Sequence, residues 1–276
     1  MILGVDAGNS EVKIAAKYGL IKFLSDIGEG RNINLEQVHG EDDMVFEYEG
    51  KYGFAGSLAK YESEFVGSLM GDSKVHEDTK LRVLLGIHRY LTLNNVEEYN
   101  FQIIVGQPIS KHTPLEKEGL RKLLQGKHVI TVNEIKKKIN IDKISVAAEA
   151  ASSFWSNPQN GLTRIIDVGS GTVNYASVLE GRFIDKESGT LNFGMNTNKS
   201  NNLQALVRGI AAETLKKWNK EDNVFLVGGV AEAIKSPLKQ YYPNVQVLQP
   251  IFNRKIQDPI FANAISFYNI GVSVYE

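Results

Sequence analysis

Two segments far apart in this chain share one build, and that likeness restricts the fold more than any other feature. Ile2-Leu3-Gly4-Val5-Asp6-Ala7-Gly8-Asn9-Ser10 and Ile165-Ile166-Asp167-Val168-Gly169-Ser170-Gly171-Thr172 each pass from an apolar run into Asp-x-Gly and a small polar residue. A second β-type stretch follows each turn, Val12-Lys13-Ile14 in the first and Asn174-Tyr175-Ala176-Ser177-Val178 in the second. A hairpin of this build sets a carboxylate at a strand end. Its glycine lets backbone N–H groups close on an anion with no Cβ in the way. A single such turn is ordinary, because Asp before Gly commonly does no more than cap it. Two in matched settings, with a third apolar strand ending in Gly-Gly at Val224-Phe225-Leu226-Val227-Gly228-Gly229, imply a duplicated α/β chain that clamps a nucleotide between its halves.

The pattern between these landmarks is α/β throughout. Strands are expected at Ile2–Val5, Val12–Ala16, Ile21–Leu24, Met44–Tyr48, Lys51–Phe54, Phe101–Val105, His128–Val132 and Ile135–Ile141. Helices are expected at Ser57–Glu64, Glu77–Asn94, Pro114–Gln125, Val146–Trp155, Asn201–Trp218, from Ala231, and at Ile260–Asn269. In the second helix Leu81, Leu84, Leu85, His88 and Leu91 recur at helical spacing, which marks a buried face and makes His88 a core residue rather than a ligand. With 276 residues the chain has ample length for a packed core.

Composition removes several classes of function. A net charge of -1 predicts no general affinity for nucleic acid or anionic membrane. The runs Lys136-Lys137-Lys138 and Lys216-Lys217 are short enough to be solvated faces. With no Cys there are no disulfides, thiolate zinc sites or cysteine nucleophiles, which suits a reducing cytoplasm. The first strand begins at Met1 with no signal-peptide pattern, and no apolar run approaches membrane-spanning length, so a cytoplasmic location is expected. His39, His76, His88, His112 and His128 show no metal-ligand spacing.

Candidate site residues follow from the turns. Asp6 and Asp167, one from each half, suit Mg²⁺ held largely through water, since that ion gives up its hydration shell reluctantly. Gly8, Asn9, Ser10, Gly169, Ser170, Gly171 and Thr172 offer N–H and hydroxyl donors to phosphates. Lys13 either reaches a phosphate oxygen as a point charge or is a solvated lysine on an exposed strand face. Gly228 and Gly229 would let a nucleoside lie against bare backbone. Glu149, a lone acid among Ala147, Ala148, Ala150 and Ala151, is a poor core residue, because an unpaired buried carboxylate is costly. It is either a chemical group or an exposed helix Glu. Arg208, Glu213 and Lys216 on the 201–218 helix are candidates for ribose or base contact, with a solvated polar face as the alternative.

The order of these motifs resembles the actin, Hsp70 and sugar-kinase superfamily, and within it the plasmid-segregating bacterial actins of the ParM-like branch. Val5-Asp6-Ala7-Gly8-Asn9-Ser10-Glu11-Val12-Lys13 resembles that branch's first phosphate motif. Gln257-Asp258-Pro259-Ile260-Phe261-Ala262-Asn263-Ala264 resembles its last-helix signature. The short interval from Thr172 to Gly228 leaves no room for the lobe called IIB, which makes the chain most similar to the short, AlfA-like members. The resemblance implies a ribonuclease H-like duplicated ATPase fold with two domains flanking a nucleotide cleft and IIB missing or strongly reduced. Domain I would span 1–145 plus 259–276, with a small IB insertion near 28–70, and domain II would span 146–258. It implies ATP with Mg²⁺, with GTP as an alternative because base contacts are reduced, and it makes Glu149 the acid that orients or activates water, with Asp6 and Asp167 at the metal. Self-association into helical filaments and a plasmid-encoded DNA-binding adaptor are the implied partners. The rival is a small-molecule kinase of the same superfamily, similar to type III pantothenate kinase, whose Gly-Ala-Asp-Arg motif does not occur here. A nucleotide-sensing accessory protein is a third option.

Overall fold

A computed structural model describes residues 1–34, 40–66, 73–197 and 202–276. His39 and Asn201, named above, lie outside these residues, as do parts of the expected 28–70 insertion.

The first half opens with a meander, β1 (Ile2–Ala7), β2 (Glu11–Ala16) and β3 (Gly19–Leu24). There follow β4 (Ile27–Glu29), β5 (Met44–Tyr48), β6 (Lys51–Ala55), α1 (Ser57–Glu62) and α2 (Glu77–Leu93). It continues with β7 (Asn100–Gln107), α3 (Pro114–Leu124), β8 (Gly126–Val132) and β9 (Ile135–Ala148). These nine strands form one sheet in the order β3-β2-β1-β7-β9-β8-β5-β6-β4. The second half repeats the core of that plan with β10 (Leu162–Val168), β11 (Val173–Leu179), β12 (Arg182–Phe183), β13 (Gly189–Leu191), α4 (Leu203–Thr214), β14 (Val224–Val227), α5 (Ala231–Leu238) and β15 (Gln246–Val247). Its sheet runs β12-β11-β10-β14-β15, with β13 on β11. In each half a hairpin strand pairs antiparallel with its successor and parallel with a strand that arrives through a helix. The duplication expected from the two turns is therefore a duplication of topology. Between Thr172 and Val224 the described strands join the second sheet, and α4 packs its Leu206, Val207, Ile210 and Ala211 into the same core.

The helices sit where their apolar stripes require. Leu84, Leu85 and Leu91 of α2 enter the first core. The imidazole of His88 is buried and shares a 2.8 Å hydrogen bond with the Ile135 carbonyl, as a satisfied core histidine should. A final helix, α6 (Ala262–Tyr275), lies across β1 and is apolar enough to be covered on several sides. Gly4 permits that crossing, because a Cβ there would stand 2.2 Å from the Ala264 carbonyl oxygen. No helix among the described residues is long and apolar enough to cross a membrane.

Three expectations need correction. Val146–Trp155 is not a helix. Strand β9 runs on to Ala148 in parallel register with Gln107, and only a short 3-10 turn, Ser152–Ser156, follows. Alanine favours helix intrinsically, but a strand partner on β7 overrides so weak a preference. The 201–218 helix is shorter, ending at Thr214, and the last helix begins at Ala262, after a 3-10 turn at Pro259–Phe261, and extends to Tyr275.

Candidate functional site

The two Asp-x-Gly turns face each other across a cleft of about 370 Å³. Asp6, Gly8, Asn9, Ser10, Lys13, Glu149, Asp167, Gly169, Ser170, Gly171, Thr172, Gly228 and Gly229 all line it. Strand register explains how. Asp6 stands opposite Lys13 on β2, and Asp167 opposite Asn174 on β11, so each turn presents one acid and one cross-strand partner. Lys13 Nζ lies 3.8 Å from Asp6 Oδ2 with its side chain only 13% exposed, which places it in the cleft wall and not on a solvated face.

The turns are held against each other and against the helices behind them. Asn196 donates from Nδ2 to Ser10 Oγ at 3.4 Å, bridging the halves. Behind the first turn, buried Arg82 of α2 donates from Nη1 to Asn9 Oδ1 at 3.2 Å and from Nε to the Ser25 carbonyl at 3.0 Å. The second turn closes through Gly169 N–H to the Thr172 carbonyl at 3.0 Å. The Gly169 and Ser170 carbonyls accept from the N–H groups of Met195 and Asn196 at 3.0 and 2.8 Å.

Glu149 follows β9 directly, in a tight turn whose next residue, Ala150, has φ +60°. A left-handed alanine costs about 1–2 kcal/mol, so the surroundings must hold this turn. Asn263 of α6 does so, accepting the Ala150 N–H at 3.3 Å on Oδ1 while donating from Nδ2 to Asp167 Oδ2 at 2.8 Å. One side chain thus ties Glu149's turn to the second aspartate. Glu149 is 8% exposed, with Lys74 Nζ on Oε1 and Asn174 Nδ2 on Oε2, the latter at 3.1 Å. Lys74 also lies 3.9 Å from Asp6 Oδ1.

The charges are coupled. Burial, then the nearby carboxylate of Glu149 and that of Asp6, push Asp167 up to about 7, against the pull of the Asn263 hydrogen bond. Burial pulls the Lys74 ammonium down, but Glu149 and Asp6 more than offset this and leave it above the ordinary lysine value.

The Gly228-Gly229 end of the cleft is bare backbone. Gly228 adopts φ +93°, and a Cβ on it would come 3.0 Å from Asp167 Oδ1. Its N–H donates to the Pro259 carbonyl at 3.1 Å, and Ile260 packs beside Gly229. The Gln257–Ala264 segment singled out in the sequence therefore builds this wall. Glu213 and Lys216 do not line the cleft. They are exposed and pair with each other at 2.7 Å, and Arg208 is likewise absent from the lining, so the solvated-face alternative describes all three. The sequence passed over Lys74, Arg82, Asn174, Asn196 and Asn263. Asn174 was findable as the register counterpart of Lys13, whereas Lys74 lies in no local motif.

The donor set fits a magnesium nucleotide. Two carboxylates from opposite halves are hard oxygen ligands, glycines leave backbone room for phosphate, and Lys13 adds a cation. Among the described residues no group of three or more His, Asp or Glu could hold a metal ion.

The described fold is similar to those of filament actins. Against AlfA from a B. subtilis plasmid the TM-score is 0.78 at 20% identity, covering 100% of this chain and 99% of that one. Against an AlfA filament bound to AMPPNP it is 0.76 at 19% identity, with the same coverage. Against a 15-stranded ParM filament from Clostridium botulinum it is 0.80 at 17% identity, covering 99% of each chain. At these identities the likeness is one of fold, and it is the fold expected from the two turns. No curated protein matches the sequence. The family described as actin like proteins N terminal domain matches residues 4–151, more than half of the 276 residues, and with the duplicated α/β cleft it places this chain among the actin-like proteins.

Proposed function

We propose that this chain is an actin-like ATPase that binds Mg·ATP between its halves, assembles with its own copies into helical filaments, and makes those filaments labile by hydrolysis. The carrying observation is the convergence of Asp6, Asp167 and Glu149 on one cleft walled by the two Asp-x-Gly turns. Asp6 and Asp167 would hold the metal, largely through water. Lys13 and the donors of Gly8, Asn9, Ser10, Gly169, Ser170, Gly171 and Thr172 would hold the phosphates, and Gly228-Gly229 the nucleoside. When bound, Mg²⁺ neutralises charge on the phosphate oxygens. Glu149 would orient the attacking water, a geometry that Asn174 and the Asn263-braced turn help to fix.

The proposal extends to segregation of plasmid DNA through a separate DNA-binding adaptor, and to a cytoplasmic location. The filament neighbours AlfA and ParM support it by fold. We take 1–145 with 259–276 as domain I and 146–258 as domain II, IIB being absent. GTP remains an alternative substrate because Glu213 and Lys216 make no contribution to the cleft.

Sedimentation with ATP, ADP or no nucleotide tests assembly. ATP-dependent pelleting supports the filament, whereas pantothenate-dependent ADP release without assembly would favour the kinase. Loss of a water-positioning group slows chemistry by about 10²–10⁴-fold while sparing the ground state. Glu149→Ala should therefore bind ATP, assemble, and fail to disassemble. Normal phosphate release by that variant would remove Glu149 from the mechanism.

A further inference from the structure

Lys13 and Lys74 are the cations among the described residues that line the cleft. Lys13 comes with the first hairpin, but Lys74 is delivered from outside both turns by a segment fixed on each flank. Before it, Ser73 Oγ donates to Glu116 Oε2 at 2.8 Å, and the same oxygen accepts from Gln107 Nε2 at 2.9 Å. After it, Val75 fills the space beside Gly119 of α3, where an added Cβ would stand 3.0 Å from the valine methyls, and His76 caps α2. The Lys74 side chain is 12% exposed, and its ammonium sits between the Glu149 and Asp6 carboxylates.

This placement has a chemical consequence. Glu149 has one oxygen on Lys74 and the other on Asn174. A carboxylate engaged at both oxygens is poorly placed to orient water, so the acid needs Lys74 to lean elsewhere. The group able to draw an ammonium from a carboxylate is a more highly charged oxyanion. A phosphate lying between the metal-side aspartate and the water-side glutamate is the terminal one of a nucleoside triphosphate. A diphosphate has no group to offer there.

We propose that Lys74 is a ligand of the terminal phosphate, which makes it the residue that distinguishes tri- from diphosphate and releases Glu149 Oε1 to water. The inference rests on the nucleotide reading above. Its test is equilibrium binding of AMPPNP and of ADP, with Mg²⁺, below the concentration at which the protein assembles. Lys74→Met should weaken AMPPNP by about 10- to 100-fold, the worth of one charge-assisted hydrogen bond, and leave ADP near its wild-type affinity. Removing Lys74 alone strands a buried Glu149 and can unfold the chain, so the comparison is repeated in a Glu149→Gln background. There the preference for AMPPNP should survive with Lys74 present and vanish with Lys74→Met. An unchanged ratio of the two affinities, or equal losses for both ligands, would overturn the proposal. Failure of the wild-type protein to bind either nucleotide would instead overturn the nucleotide reading itself.

Discussion

The two hairpins of the cleft share topology, register and an aspartate, yet differ in charge. Opposite Asp6 stands Lys13, and opposite Asp167 stands Asn174. Among the described lining residues both cations, Lys13 and Lys74, belong to the first half, whereas the second supplies Asn174, Asn196 and its turn, with Asn263 reaching over from α6. The consequence shows in the acids. Asp6 has two ammonium groups within 4 Å, at 3.8 and 3.9 Å, while Asp167 has an amide, whose hydrogen bond does not offset burial and the Glu149 and Asp6 carboxylates that push it up to about 7. Duplication thus provides a symmetric frame, and asymmetric side chains give each half its own task. On the proposed nucleotide reading, the first half would supply attraction for phosphate and the second aim through neutral donors.

The largest effect that tests this division falls on the uncompensated acid. Asp167→Asn should lower Mg·ATP affinity on the order of 10²-fold or more if, as proposed, Asp167 is a hard ligand of the metal. In protein without nucleotide the same change should raise thermal stability at pH 8. The sign follows from linkage. A carboxyl raised to about 7 from an ordinary 3.8 contributes stability that is full below the lower value and is lost as pH rises through the upper. The variant's advantage should accordingly shrink as pH falls from 8 toward 4. Melting curves across that range check it, and a variant less stable than wild type at pH 8 would show that the Asp167 charge is compensated after all.

Smaller, and aimed at the register contrast itself, is Lys13→Asn, which gives the first hairpin the chemistry of the second. A lost charge-assisted hydrogen bond should weaken ATP by roughly 10- to 100-fold. Asn174→Ala removes a neutral donor and should weaken ground-state binding by less than about 10-fold, with the larger loss in turnover, because Asn174 holds Glu149. Calorimetry on both variants decides the point, and equal losses in affinity would erase the proposed division of labour.

Much of this frame was legible because it is local. An apolar run, Asp-x-Gly and a second apolar run specify a hairpin without knowledge of anything distant, and register then decides what faces the acid. Glu149 was found for a partly mistaken reason. Its isolation among alanines marks it as special, but those alanines suggested a helix where β7 imposes strand as far as Ala148. What escaped was non-local. Lys74 is separated from Glu149 by 75 positions and belongs to no motif, and although Asn263 lies in the Gln257–Ala264 segment, nothing local pairs it with Asp167, 96 positions away. Glu213 and Lys216 failed in the opposite sense. Helical polarity drew attention to them, yet α4 turns its apolar face to the core and leaves the pair in solvent.

The smallest effect concerns the matched glycines, Gly8 and Gly169, each two residues after its aspartate. Both keep a Cβ away from the backbone that closes their turn, but not by the same margin. A Cβ on Gly8 would stand 2.8 Å from the Glu11 carbonyl oxygen, closer than real contacts allow, and the obstacle is backbone. On Gly169 the nearest atom is the Thr172 carbonyl oxygen at 3.1 Å, a distance that a shift of a few tenths of an ångström relieves. Gly8→Ala should then cost about 1–3 kcal/mol, as overpacking does, and displace Asn9 from its Arg82 anchor. Gly169→Ala should cost less than about 1 kcal/mol, since its strain can be shed into the turn. Denaturant midpoints of the two variants measure the difference directly. If Gly169→Ala proved the more damaging, the second turn would be the stiffer of the two, and the half assigned here to aim would owe its accuracy to rigidity of the backbone more than to its asparagines.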